Sequence, residues 1–118
     1  MKLQSCPKTF TRELDKSTDP KNTVLKAHKA FESIGGVLGE LRRIDTGRLG
    51  IPVYMSITGP KAREVMPTRK QMGKGASTVQ AEASSLMELV ERYSFFAFWN
   101  DPAQFTSATW SQAEQRFD

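Results

Sequence analysis

Ser77-Thr-Val-Gln80-Ala-Glu-Ala-Ser84-Ser-Leu-Met-Glu88-Leu-Val-Glu91-Arg92-Tyr-Ser-Phe-Phe-Ala-Phe-Trp99 is the longest patterned stretch in the chain. It opens with Ser77 and Gln80, three residues apart, in the form of a capping box that satisfies free main-chain N–H groups at a helix start. At about 100° per residue, Leu86, Leu89, Val90, Tyr93, Phe96 and Ala97 share one broad arc. That arc is the expected core face. Ser84, Glu88, Glu91 and Arg92 gather on a separate arc, which Phe95 and Trp99 extend toward the C-terminus. Asn100-Asp101-Pro102 breaks the pattern. The spacing predicts a helix from Ser77 to about Trp99 with one apolar face and one mixed polar face.

Upstream lies a cationic segment. Between Pro60 and Lys74 stand Lys61, Arg63, Arg69, Lys70 and Lys74 against Glu64 alone. Gly59 to Ser77 is expected to be a basic loop, and loops of about twenty residues are usually functional or mobile. Gly73-Lys74-Gly75 within it fits neither a Walker A loop nor G-x-G-x-x-G. By itself it is a flexible turn with one cation, lying just ahead of a helix N-terminus, where anions are favoured.

Farther upstream, Val37 to Ile44 and Ile51 to Thr58 are strand-like, separated by Asp45-Thr-Gly-Arg-Leu-Gly50. The second alternates Val53, Met55 and Ile57 against Pro52, Tyr54 and Ser56, as a half-buried hairpin strand would. Thr18-Asp19-Pro20 marks a helix start. Val24, Leu25, Ala27, His28, Phe31 and Ile34 follow it with helical spacing until Gly35-Gly36. Residues 1–16 show no steady period and form an expected exposed lead-in. Thr109 to Phe117 begins another amphipathic pattern with a second box at Ser111-Gln-Ala-Glu114. The fold class is α+β, with helices packed on a small antiparallel sheet. Residues 1–118 make a single partial domain whose last element is unfinished, the pattern expected of a piece of a larger protein.

With 118 residues, one domain is the upper bound. Lys and Arg number 17 against 13 Asp and Glu, a net charge of +4. That mild excess leaves a small basic nucleic-acid-binding module as one alternative, although the aromatics are not interleaved with the cations as single-strand binders require. Cys6 and His28 are the only residues of their types. An intramolecular disulfide, a Cys/His zinc site and a His-dependent triad within the chain are therefore excluded. His28 is expected to be structural and Cys6 an exposed free thiol. No apolar run approaches the roughly 18 residues of a membrane span, and Met1 to Phe10 lacks a signal-peptide apolar region. A reduced, cytoplasmic setting is the expectation.

The polar arc carries the chemistry. Carboxylates three residues apart on a helix lie about 5–6 Å apart at Cβ, close enough to share a divalent ion. Mg²⁺ is commonly held by one or two carboxylates together with water and substrate phosphates. Arg92 could brace a carboxylate or reach a phosphate oxygen, and Ser84 could orient a metal-bound water. Spacing alone favours a plainer reading: Glu88 and Arg92 form an i,i+4 surface pair contributing about 0.3–0.5 kcal/mol.

Met72-Gly-Lys-Gly-Ala-Ser-Thr-Val-Gln-Ala-Glu-Ala-Ser-Ser-Leu-Met-Glu-Leu-Val-Glu-Arg-Tyr-Ser94 resembles the nucleotide-binding segment of the YcaO family. That family carries a Gly-Lys-Gly-Ala turn followed by a helix bearing S-x-x-x-E-x-x-E-R, matched here by Ser84, Glu88, Glu91 and Arg92. The resemblance extends over roughly Thr11 to Trp99. It implies ATP and Mg²⁺ as cofactors, with Glu88 and Glu91 binding the metal. It also implies that Ser84 contacts nucleotide or metal, that Lys16 and Lys74 reach the nucleotide, and that Arg92 braces the carboxylates. The implied activity is ATP-dependent activation of peptide backbone amides, leading to azolines, thioamides or amidines. Implied partners are a peptide substrate and a substrate-delivering or TfuA-like protein, with a homo-oligomer expected. Family members run to several hundred residues, so the resemblance implies the N-terminal nucleotide-binding portion of a larger YcaO-like domain, inactive alone and without an assigned catalytic residue. A non-catalytic scaffold or oligomerisation piece is the remaining alternative.

Overall fold

Asp19 caps the first helix, α1 (Pro20–Ile34), by accepting the Lys21 N–H at 2.9 Å. Pro20 follows at a position where its missing N–H costs nothing. Gly35 ends the helix at φ +70°, with its N–H on the Phe31 carbonyl at 2.9 Å. The computed structural model describes residues 4–7 and 16–117. Most of the expected lead-in therefore lies outside the described residues. Of it, residues 4–7 are exposed, including the free thiol of Cys6, and Lys16 forms a single β-bridge.

Three antiparallel strands, β1 (Leu38–Arg43), β2 (Val53–Thr58) and β3 (Lys70–Lys74), lie in the order β1-β2-β3. Asp45 ties the β1–β2 connection. One of its oxygens accepts the Arg43 Nε at 2.7 Å and the Val53 N–H at 3.0 Å, and the other accepts Arg43 Nη2 at 2.9 Å. The Arg43 guanidinium and the Val53 N–H hold this carboxyl well below the ordinary carboxylate range. Beyond β2 come α2 (Pro60–Arg63), the long α3 (Thr78–Trp99), a 3-10 turn (Pro102–Gln104) and α4 (Trp110–Phe117). An α+β fold with helices packed on a small antiparallel sheet is thus observed.

The expected basic loop is not structureless. Gly59 to Ser77 contains α2 and the third strand. Lys-Gln-Met-Gly-Lys has no β-branched or aromatic residue, so local propensity gives no strand signal. What makes it a strand is pairing: Val53, Met55 and Ile57 lie opposite Lys74, Met72 and Lys70. Two cations of the segment also serve the fold. Lys61 donates to the Ile34 carbonyl at 3.4 Å and Arg63 to the Thr58 carbonyl at 3.1 Å.

α3 lies across β3 and β2, with α1 packed beside it. Leu86 and Leu89 are fully buried and meet Phe31, Ala27, Val37, Ala62 and Met66 in the core, with Val90, Tyr93 and Phe96 partly buried around it. Toward β3 the contact is of another kind. Ser56 Oγ donates to the Ser85 carbonyl at 3.1 Å, and Ser85 Oγ donates to the Gln71 carbonyl at 3.4 Å. All three residues are buried. A Cβ on Gly73 would overlap the backbone of Ser85 and Ala81. Gly73 is therefore the point where strand and helix backbones meet directly, and the Gly-Lys-Gly stretch is a packing device rather than a flexible turn.

Two caps shift from their expected positions. At α3 the Gln80 N–H reaches Ser77 Oγ at 3.4 Å, but Gln80 Oε1 accepts from Ala76 at 3.0 Å, one residue earlier than a full box requires. At α4 the box uses Thr109 and Gln112, not Ser111 and Glu114. The Gln112 N–H donates to Thr109 Oγ1 at 3.4 Å, and the Thr109 N–H to Gln112 Oε1 at 2.9 Å. Ser111 already lies inside the helix, where its hydroxyl cannot take that role.

Candidate functional site

The polar arc of α3 faces two adjoining clefts. The first, of about 380 Å³, lies between the start of α1, the end of β3 and the N-terminal half of α3. Lys16, Thr18, Lys74, Gln80, Ser84 and Met87 are among the residues lining it. The second, of about 620 Å³, is lined by Ser84, Met87, Glu88, Val90, Glu91 and Arg92. Ser84 and Met87 belong to both, so the two clefts form one groove along the helix. All six residues singled out in the sequence border this groove: Lys16, Lys74 and Ser84 in the first cleft, and Ser84, Glu88, Glu91 and Arg92 in the second.

Within the second cleft Arg92 closes a fork on Glu88, with Nε 2.9 Å and Nη2 2.8 Å from the same oxygen, Oε1. The i,i+4 pair therefore exists, and Glu88 Oε2 takes no part in it. Glu91 is exposed and makes no hydrogen bond or ion pair with a described residue. One turn of helix thus offers two carboxylates with acceptor capacity in hand, beside a guanidinium that neutralises part of their mutual repulsion. Among the described residues no group of three or more His, Cys, Asp or Glu could close around an ion. Such a donor set suits a hard cation that takes its other ligands from water and phosphate, not an all-protein cage.

Lys74 ends β3, whose alternation turns Gln71 and Gly73 toward α3 and leaves Lys74 exposed at the rim of the first cleft. His28, expected to be structural, is half-buried on α1 and lies 3.9 Å from Glu82 on α3, outside the groove. The aromatics that continue the polar arc do not line it either. Phe95 and Trp99 are exposed, and their rings join Phe98 and Phe105 in contacts of 5.1–6.0 Å between centroids. Gln80 and Met87 were not foreseen as lining residues. Following the Ser84–Glu91 arc by its own i, i+3 and i+4 steps would have found both.

Residues 72–117 match the model of the family described as YcaO cyclodehydratase, ATP- and Mg²⁺-binding. The chain carries a YcaO-family segment. Five of the six groove residues, from Lys74 to Arg92, fall inside it, and Lys16 precedes it. Two solved structures resemble the chain. A heterocyclase in complex with substrate and cofactor is 32% identical with a TM-score of 0.59, covering 80% of this chain and 13% of that one. YcaO from Methanopyrus kandleri, bound with AMPPCP and Mg²⁺, is 22% identical with a TM-score of 0.52, covering 75% of this chain and 23% of that one. The chain thus spans less than a quarter of either structure. Among curated proteins no sequence match is found. No helix among the described residues is long and apolar enough to cross a membrane.

Proposed function

We propose that this chain supplies a nucleotide- and Mg²⁺-binding portion of a YcaO-type protein that uses ATP to activate peptide backbone amides, in azoline, thioamide or amidine formation. What carries the proposal is the single groove that brings Lys16, Lys74, Ser84, Glu88, Glu91 and Arg92 to one side of α3. Glu88, through Oε2, and Glu91 would hold Mg²⁺, and Ser84 would contact nucleotide or a metal-bound water. Lys16 and Lys74 would meet phosphate at the first cleft, and Arg92 would keep Glu88 oriented. Mg²⁺ bound there would neutralise phosphate charge, the main requirement of phosphoryl transfer. Supporting evidence comes from the family match over residues 72–117 and from the solved relative with AMPPCP and Mg²⁺.

Two carboxylates on one helix cannot enclose a reacting phosphate from all sides. The domain assignment that follows is a partial one covering residues 1–118, without activity by itself, acting with further YcaO sequence on a peptide substrate delivered by a partner protein. The basic nucleic-acid alternative loses weight because Lys61 and Arg63 are engaged with main-chain carbonyls.

A two-dimensional amide spectrum of the chain, titrated with a non-hydrolysable ATP analogue and Mg²⁺, tests the assignment. Shifts are expected at Gly73 to Arg92 and near Lys16, and Glu88→Gln with Glu91→Gln should remove their Mg²⁺ dependence. A folded spectrum that does not move at millimolar nucleotide, or one that moves identically in the double variant, would sink it.

A further inference from the structure

Lys74 stands between two glycines pressed against the same helix. A Cβ on Gly73 would overlap the main chain of Ala81 and Ser85, and one on Gly75 would come within 2.5 Å of Gln80 Cβ and 2.6 Å of the Ala81 nitrogen. Neither glycine has a positive φ. Close approach to α3, not a special backbone conformation, is what both positions require. Lys74 itself is exposed at the rim of the first cleft, while the main chain on either side of it is fixed to the helix.

Gln80 closes the turn that follows. It is only 7% exposed and lines the first cleft. Its Oε1 accepts the Ala76 N–H at 3.0 Å, two residues beyond Lys74, and its own N–H donates to Ser77 Oγ at 3.4 Å. Gln80 thereby holds the connection between β3 and α3 at both Ala76 and Ser77. Ala76 is exposed, so water could serve its N–H almost as well, and the bond adds little net stability. What it adds is a fixed turn.

The residue also belongs to the polar row. Gln80, Ser84, Glu88 and Arg92 follow one another at intervals of four along α3, which places them on one ridge of the helix. Each end of the row holds another group: Arg92 holds Glu88, and Gln80 holds the turn behind Lys74. Between those ends, Ser84 and Glu88 line the groove.

We infer that Gln80 is a positioning residue of the nucleotide site. By fixing the turn from Gly75 to Ser77 it sets where the Lys74 ammonium meets phosphate, relative to Ser84 and Glu88 on the same ridge. The inference rests on the nucleotide reading given above. A lysine ammonium rides on a flexible four-carbon stem, so its reach is directed only where its main chain is held.

A double-mutant cycle tests this, reading the affinity of the full chain for a non-hydrolysable ATP analogue with Mg²⁺ from amide shifts. Gln80→Met keeps the side-chain length and removes the acceptor, and it should weaken binding about fivefold. Lys74→Met should weaken it about tenfold. Once Lys74 is replaced, Gln80→Met should cost no further affinity, because Gln80 acts through Lys74. Ser77→Ala removes the neighbouring bond at the helix start. It should lower thermal stability yet leave affinity within about twofold. The Ala76 amide should exchange slowly with solvent in the unaltered chain and in Gln80→Glu, which keeps an acceptor, and fast in Gln80→Met. Additive losses, full binding by Gln80→Met, or an equal loss in Ser77→Ala would each overturn the inference. So would an unprotected Ala76 amide in the unaltered chain, a result that requires no variant to fold. An unaltered chain that binds no nucleotide fails the nucleotide reading itself, and the inference with it.

Discussion

The two halves of α3 live in different surroundings although they form one continuous helix. From Thr78 to Leu89 the helix is seated: Gln80, Ala81, Ala83, Ser85, Leu86 and Leu89 are buried, against β3 on one side and the core on the other. From Val90 to Trp99 no residue is fully buried, and Phe95, Phe98 and Trp99 are exposed. The candidate groove spans the junction, with Ser84 on the seated half and Glu91 and Arg92 on the free half. Small side chains explain the seating. Ala81 and Ser85 allow the helix backbone to approach Gly73 directly, whereas the second half carries bulky side chains, of which Val90, Tyr93 and Phe96 are only partly buried and Phe95, Phe98 and Trp99 are exposed. A site built at such a junction gains its rigidity from one side only.

The largest effect should follow from unseating the helix. Gly73→Val is expected to destabilise the chain by about 3–4 kcal/mol or prevent folding, because the added atoms meet main chain that cannot move aside. Chemical denaturation followed by circular dichroism measures it. A cost below about 1 kcal/mol would mean that strand and helix can part without loss. Next comes a paired comparison along the helix. Leu89→Ala should cost about 3 kcal/mol through the cavity it leaves. Trp99→Ala should cost under about 1 kcal/mol, since that ring loses only exposed aromatic contacts. Equal costs would erase the contrast between the two halves.

The smallest effect concerns the hairpin, remote from both halves. Because the folded Asp45 carboxyl titrates below its unfolded value, the unfolded chain binds more protons between the two values. The stabilisation from Asp45 is thus fully present above the ordinary carboxylate pKa and is lost as pH falls through the folded one. Asp45→Asn should lower stability at neutral pH and leave it little changed in strong acid, so that the acid limb of a stability–pH curve flattens. An unchanged acid limb would show that other carboxylates set it.

Periodicity made α3 legible, including its arc of Ser84, Glu88, Glu91 and Arg92, since a helix's faces follow from local spacing alone. The capping residues of α1 and the hairpin order were legible for the same reason, and the Gly-Lys-Gly-Ala turn with S-x-x-x-E-x-x-E-R carried the family resemblance. β3 was not legible. A strand of Lys, Gln, Met, Gly and Lys exists only because β2 offers it hydrogen bonds and α3 lies flat on Gly73. Nor could alternation in β2 reveal which side would meet α3. Both faces of a strand follow the same period, and only the packed helix decides that Ser56 and Thr58 go inward while Met55 and Ile57 face away. Lys16 and Lys74, 58 positions apart, came to the same cleft through the bridge and sheet that no local pattern encodes. Local spacing thus determined what each face of each element carries, and tertiary packing decided which faces meet, because that choice rests on contacts between residues far apart in the chain.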